Sequence, residues 1–208
     1  MTTTATTALA SLDGSRIDDG LYTAVTDFAR HTPWLNTAMV WWTSYGAVLF
    51  IALLVATWWS ARRKDAAAMA GAIASFAAAA IACVANSGIR GYFQEPRPCR
   101  AVIHDFLLEA CPAPSDYAFP SNHTTVAFAA ATALLVVNRR LGVPAVIAAV
   151  LMAFSRVYAG AHYPHDVAAA ALIGTLIAVP VVLTGRRLAT PVVARLRGGP
   201  LRPLLLAA

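Results

Sequence analysis

The sequence predicts an all-α, polytopic membrane bundle of about five transmembrane helices with an N-terminal interfacial helix. Three observations carry that prediction. Of 208 residues, 59% are hydrophobic and 12% charged, against about 45–50% and about 25% in soluble domains. The apolar residues gather in runs approaching a bilayer span, which takes roughly 17–25 residues. The basic residues fall between those runs rather than along one stripe, so the net charge of +6 reads as membrane topology. Nucleic-acid binding is thereby set aside.

The chain opens on MTTTATTALASLDGS, Thr/Ala-rich and without a basic cluster or an apolar run behind it. A cleaved secretory signal is not expected, and residues 1–15 read as a disordered tail. Ile17, Leu21, Val25 and Phe28 then recur at helical spacing, with Asp18, Asp19 and Asp27 on other faces. This segment is too polar to span and reads as an amphipathic helix on the outer surface.

The first span, about Asn36 to Ser60, has Trp34, Trp41 and Trp42 at one end and Trp58 and Trp59 at the other. Amphipathic rings at both interfaces suit a tilted helix. The second runs from about Ala66 to Ile89 and is alanine-rich. The third to fifth, about His123–Asn138, Val143–Phe154 and Val167–Thr184, are short and must borrow flanking residues. A membrane domain over 16–187 follows, with residues 188–208 as a cytoplasmic C-terminal tail.

Charge orients these spans. One side collects Arg62, Arg63, Lys64, Arg139, Arg140, Arg186, Arg187, Arg195, Arg197 and Arg202 against Asp65. The other holds Arg16, Arg30, Arg90, Arg97, Arg100, Arg156 and every acidic residue except Asp65. The positive-inside rule puts the first side, with the C-terminus, in the cytoplasm.

Three polar segments interrupt the apolar chain, and all fall on the outer side: Arg90-GYFQEP-Arg97-Pro98, Phe119-Pro-Ser121-Asn122-His123, and Ser155-Arg156-VYAGA-His162-YPH-Asp166. Charge beside a membrane core is costly unless it works together. Three guanidinium groups form a fork of fixed donors for a phosphoryl group. Pro120-Ser121 ahead of a helical run offers backbone amides and a positive dipole end to an anion. His162 and Asp166 lie one helical turn apart, so the carboxylate can fix one imidazole nitrogen and free the other for attack. His123 remains as a proton donor to a departing oxygen.

These segments resemble the type 2 phosphatidic acid phosphatase family, whose pattern is Lys–six residues–Arg-Pro, then Pro-Ser-Gly-His, then Ser-Arg–five residues–His–three residues–Asp. The third segment matches at every fixed position, while Asn122 stands for glycine in the second and Arg90 for lysine in the first. The resemblance implies a metal-independent lipid phosphatase without cofactor. His162 would be the phosphohistidine nucleophile, Asp166 its orienting group and His123 the acid and then the base. Arg90, Arg97, Arg156, Ser121 and Asn122 would bind phosphate. Within the family the segments are similar to bacterial undecaprenyl-pyrophosphate phosphatases, implying a polyprenyl diphosphate substrate and a role in cell-wall synthesis. Phosphatidate and phosphatidylglycerophosphate are alternatives. The constellation also occurs in vanadate-dependent haloperoxidases, whose solubility tells against that reading, and a transporter or scaffold with a dead site is a further rival.

His165 reads as an interfacial residue or one behind the site. His104, Asp105, Glu109, Ser115 and Asp116 read as solvated loop residues. The histidines lack metal-ligand spacing and sit among arginines, so no metal is expected. Cys83 reads as a packing residue, whereas Cys99 and Cys111 share the outer loop, where a disulfide and two free thiols are alternatives. Oligomeric state is not legible.

Overall fold

A computed structural model of the chain describes residues 14–102 and 106–206. Most of the expected N-terminal tail, together with His104 and Asp105, lies outside the described residues. The described elements are all helical: α1 (Ser15–His31), α2 (Pro33–Tyr45), α3 (Ala47–Ala61), α4 (Ala66–Phe93), α5 (Pro98–Ala101), α6 (Asn122–Val137), α7 (Arg139–Tyr158), α8 (Pro164–Leu196) and α9 (Arg202–Leu205).

Small residues set the centre of the bundle. Ala78 and Ala82 of α4, Ala129 and Ala133 of α6, and Ala178 and Val182 of α8 form one buried cluster. Without large side chains to separate them, these three backbones approach closely, and dispersion does the packing that water would drive in a soluble protein. Gly174 marks a close crossing. A Cβ there would come within 3.0 Å of the Ala129 nitrogen, between α8 and α6. A second cluster joins α3, α6 and α7 through Phe50, Leu54, Leu134 and Met152. Large apolar side chains point outward instead, among them Val84, Ile147, Leu172 and Leu176, each at least 60% exposed. That inversion belongs to a protein solvated by lipid.

Three helical stretches are long and apolar enough to cross a bilayer: Ala66–Ala101, Arg139–Tyr158 and Pro164–Leu196. Two sequence expectations change here. The single first span is a pair, α2 and α3, bent by 50° at Gly46. Gly46 lies against α7, where a Cβ would meet Met152 Cε at 2.8 Å. The third span is the 16-residue α6, about 24 Å long at 1.5 Å per residue. It falls short of the ~30 Å hydrocarbon core, but it is packed between α4, α7 and α8. The bent pair is long and apolar enough for a fourth crossing if its halves form one span, or it makes a re-entrant loop, and α6 is too short to qualify as a fifth.

The last helix also exceeds its expected end. α8 passes Thr184 and runs through Pro180 and Pro191 to Leu196, 33 residues in all, or about 50 Å. Beyond it the chain turns back, and Leu205 of α9 is buried with Ala61, Met69, Ala70 and Val193. Of the residues expected as a C-terminal tail, those to Leu196 are helical and Leu205 packs back on the bundle.

α1 lies across the end of the bundle that carries the three polar segments. Ile17, Leu21 and Phe28 are 53%, 58% and 48% exposed, whereas Tyr22, Thr26 and Ala29 are buried. The Tyr22 hydroxyl donates to the Gly160 carbonyl at 3.1 Å. One face thus docks on the bundle and another offers apolar side chains outward.

The Gly174 crossing yields a prediction. Gly174→Leu should separate α6 from α8 and cost about 1–3 kcal/mol, the usual penalty of overpacking, read as a lower thermal midpoint in detergent. An unchanged midpoint would contradict the close approach.

Candidate active site

The three polar segments meet at one end of the bundle. α4 ends on Gln94, which adopts the left-handed conformation at φ 49° and turns the chain from Arg90 toward Arg97. α6 begins at Ser121, its N-cap, without a side-chain cap. The tight turn between α7 and α8 presents His162, with Gly160 at φ 77° permitting the reversal.

Arg97 is the junction. Its Nη1 donates to the Ala161 carbonyl at 2.9 Å and contacts His162 Nε2 at 2.8 Å, while Nε donates to the Asp116 carbonyl at 3.0 Å. A guanidinium can only donate, so Nε2 accepts and its lone pair faces the arginine. The ring proton then sits on Nδ1, which faces Asp166 Oδ2 at 3.3 Å. Asp166 Oδ2 also accepts from the Tyr163 amide at 2.8 Å, the first turn of α8 holding the carboxylate in place. His162 and Asp166 are 1% and 0% exposed. Burial first, then the Arg97 and Arg156 charges, hold the His162 pKa well below the ordinary imidazole value. An accepting Nε2 and a lowered pKa together make the ring neutral.

Arg90 donates from Nε to the Tyr117 carbonyl at 3.1 Å and pairs through Nη2 with Asp116. The other Asp116 oxygen pairs with Arg97 Nη2 at 3.1 Å. Arg156 donates to Thr43 Oγ1 at 2.6 Å and pairs with Glu109 at 3.3 Å, while its buried Nε has no hydrogen-bond partner. Sequence reading treated Asp116 and Glu109 as solvated. The structure sets both on the arginines, Asp116 between Arg90 and Arg97 and Glu109 against Arg156. Burial alone would raise the Asp116 pKa, but the Arg90 hydrogen bond and the Arg97 and Arg90 charges hold it below the usual carboxylate value.

The second segment divides its duties. The Ser121 amide is not free for an anion, because it donates to the Asp166 carbonyl at 3.3 Å and ties α6 to α8. Asn122 turns its side chain away from the arginines, accepting from Asn86 of α4 at 3.3 Å. The first turn of α6 is otherwise uncapped, and its amides lie outside the helix's own ladder. His123 is exposed and within range of the Arg156, Arg97 and Arg90 charges. It borders an apolar cavity of about 290 Å³ between α3, α4, α6 and α7, lined by Phe50, Ile51, Leu54, Ala79 and Met152.

Cys99 and Cys111 form a disulfide, with Cα atoms 5.9 Å apart, and Cys83 is free. The bridge closes the loop that carries Glu109. His165, expected behind the site, is held by Asp18, Glu95 and Asp166. Glu95, His165 and Asp166 bring ligating atoms within 4.8 Å of one another, a carboxylate cluster that spacing alone did not reveal.

Known proteins share this architecture. The PAP2 superfamily model matches residues 65–188, which include all three segments. The chain belongs to the PAP2 superfamily. The undecaprenyl-diphosphatase BcrC of Bacillus subtilis is 33% identical over 76% of this chain and 78% of its own length. An undecaprenyl-diphosphatase of Sulfolobus acidocaldarius is 40% identical over 39% of each chain. The bacitracin transport permease protein BcrC of Bacillus licheniformis is 26% identical over 84% of this chain and 83% of its own. The crystal structure of Aquifex aeolicus LpxE superposes with a TM-score of 0.63 at 23% identity, covering 80% of this chain and 94% of that one. This PAP2 member is a membrane lipid phosphatase.

Two predictions follow the geometry. On the denatured, unreduced protein, thiol labelling should modify Cys83 and leave Cys99 and Cys111 unmodified until reductant is added. Asp116→Asn should strengthen competitive inhibition by inorganic phosphate about two- to five-fold, a modest gain because this 41%-exposed carboxylate acts through screened charge. Weaker inhibition would show that Asp116 assists the anion instead of competing with it.

Proposed function

We propose that this enzyme hydrolyses a polyprenyl diphosphate at the outer membrane face, through a phosphohistidine at His162. One observation carries the mechanism: His162 is neutral and buried, its Nδ1 faces Asp166, and its Nε2 lone pair points at Arg97, the middle of an arginine cluster. An incoming terminal phosphoryl group takes the space opposite Nε2, with Arg97 shifting to a phosphoryl oxygen. Arg90, Arg156 and the first-turn amides of α6 neutralise the remaining oxygens, where charge is present throughout transfer.

The Nε2 lone pair then forms an N–P bond as the bond from phosphorus to the leaving oxygen breaks. His123 donates its proton to that oxygen, and Asp166 stabilises the charge arising on the His162 ring. In the second half, water attacks phosphorus and gives its proton to His123. The N–P bond breaks, inorganic phosphate departs and His162 is neutral again. Arg90 in place of lysine keeps the positive charge with a two-pronged donor geometry.

The lipid part of the reading has separate support. The cavity bordered by His123 is apolar and opens among helices that face lipid, a fit for an isoprenoid tail. Two relatives bear the name undecaprenyl-diphosphatase. The sidedness follows from charge, since the basic residues gather at the opposite end of the helices from the arginine cluster. The transport reading, which one relative's name brings to mind, fits less well. Ala78, Ala82, Ala129, Ala133, Ala178 and Val182 close the contact of α4, α6 and α8 as a packed apolar cluster.

The test is phosphate release in detergent micelles from a panel of polyprenyl diphosphates, phosphatidate and phosphatidylglycerophosphate, with polyprenyl diphosphates expected to be fastest. His162→Ala should abolish turnover. His123→Ala should lower it about 10²- to 10⁴-fold, the usual contribution of general acid–base catalysis. Release by His162→Ala at the parental rate would remove the nucleophile from this scheme.

A further inference from the structure

A buried charge cluster lies directly behind the nucleophile, and the mechanism above does not use it. His165 lies in the first turn of α8 beside Asp166, two residues after the N-cap Tyr163. Its ring is sandwiched between Phe119 and Tyr163, with centroids 5.8 and 5.6 Å away and planes tilted by 24° and 19°. Nδ1 meets Asp18 Oδ1 at 2.8 Å, and the backbone amide donates to Asp18 Oδ2 at 2.6 Å. Nε2 meets Glu95 Oε1 at 3.1 Å and faces Asp166 Oδ1 at 3.5 Å.

Carboxylates on both nitrogens leave the ring no acceptor role. A neutral imidazole has one N–H, so this arrangement satisfies only the doubly protonated form. Glu95 and Asp166 are each 0% exposed. Two buried carboxylates that share a site cannot both stay ionised without a cation between them. His165 supplies that cation. Asp18 reaches it from α1, where the helix departs from helical geometry at Asp18 itself, at φ −148° and ψ 32°.

We infer that His165 is a positioning residue that keeps Asp166 ionised against Glu95, so that Asp166 can hold the Nδ1 proton of His162 and stabilise the ring as it becomes charged. Asp18 completes the cluster and makes α1 part of the site's support. The inference rests on the phosphohistidine reading for its kinetic consequence, while the electrostatic coupling stands apart from it. Without the His165 charge, Glu95 and Asp166 repel, and a proton settles on one of them. A protonated Asp166 still fills its space but no longer offsets the charge on His162.

The experiment measures kcat and KM for farnesyl diphosphate in detergent micelles for the parent, Glu95→Gln, His165→Gln and the double variant. His165→Gln should lower kcat roughly 10- to 100-fold, the range found when a group orienting a functional imidazole is lost, and leave KM unchanged because the arginines are intact. Adding Glu95→Gln removes the opposing charge and should return kcat to within about three-fold of the parent, a strong departure from additivity. A purely structural His165 would give two losses that add. His165→Gln turning over at the parental kcat, or a double variant no faster than it, overturns the inference. Should His165→Gln not fold, the double variant against the parent decides, a loss of ten-fold or more being contrary. Nitrogen-15 spectra of the histidine rings give a readout without turnover. The Nδ1–H form of His162 is expected in the parent and the double variant and disturbed in His165→Gln, and an undisturbed His162 there also overturns it. A folded parent inactive on every lipid diphosphate would sink the phosphatase substrate assignment and leave the spectra to judge the coupling.

Discussion

A buried guanidinium cannot shed its charge and cannot leave its donors idle, and Arg97 imposes that constraint on the whole outer end of this bundle. It is 6% exposed, and its partners come from far along the chain: the Asp116 carboxylate and carbonyl, the Ala161 carbonyl and the His162 ring. Meeting those demands brings the end of α4, the outer loop and the α7–α8 turn together. The same contacts fix the His162 tautomer. Satisfying one cation therefore also aims the ring that the proposed chemistry needs.

Electrostatic balance extends outward from that point. Asp116 spans Arg90 and Arg97, and Glu109 covers Arg156. The positive charge gathered here is compensated by the protein's own carboxylates. Behind His162 the signs are reversed, with the His165 ring among three carboxylates. The two arrangements share Asp166 and His162, which lie where the positive and negative halves of the site touch.

Much of this was legible in the sequence because it rests on local spacing. The four-position spacing from His162 to Asp166 does bring the pair together, although α8 starts only at Pro164 and His162 stands just ahead of its N-cap Tyr163. The apolar runs gave the all-α membrane class, and the three segments gave the arginines and histidines. What spacing could not give was long-range. Asp18 and His165 are 147 residues apart, and Glu95 and His165 are 70, so no periodicity links them. Asp116 and Glu109 looked solvated because a loop carboxylate has no pattern to distinguish pairing from exposure. The bend at Gly46 escaped notice because a glycine in an apolar run is ordinary until Met152 is seen against it. α8 outran its expected end because Arg186 and Arg187 stop the apolar run without stopping the helix.

The returning C-terminal segment has a bearing on how the molecule can be handled. Leu205 is seated on Ala61 and Met69, Arg62 donates to the Pro203 carbonyl at 2.7 Å, and Arg197 donates to the Lys64 carbonyl at 2.9 Å. A purification handle or fluorescent reporter spliced into this segment would not swing on a free leash. It would emerge against the Arg62–Lys64 turn, where bulk competes for the seat that Leu205 occupies, and a spacer would have to restore that seat before the reporter could be read as a passive label.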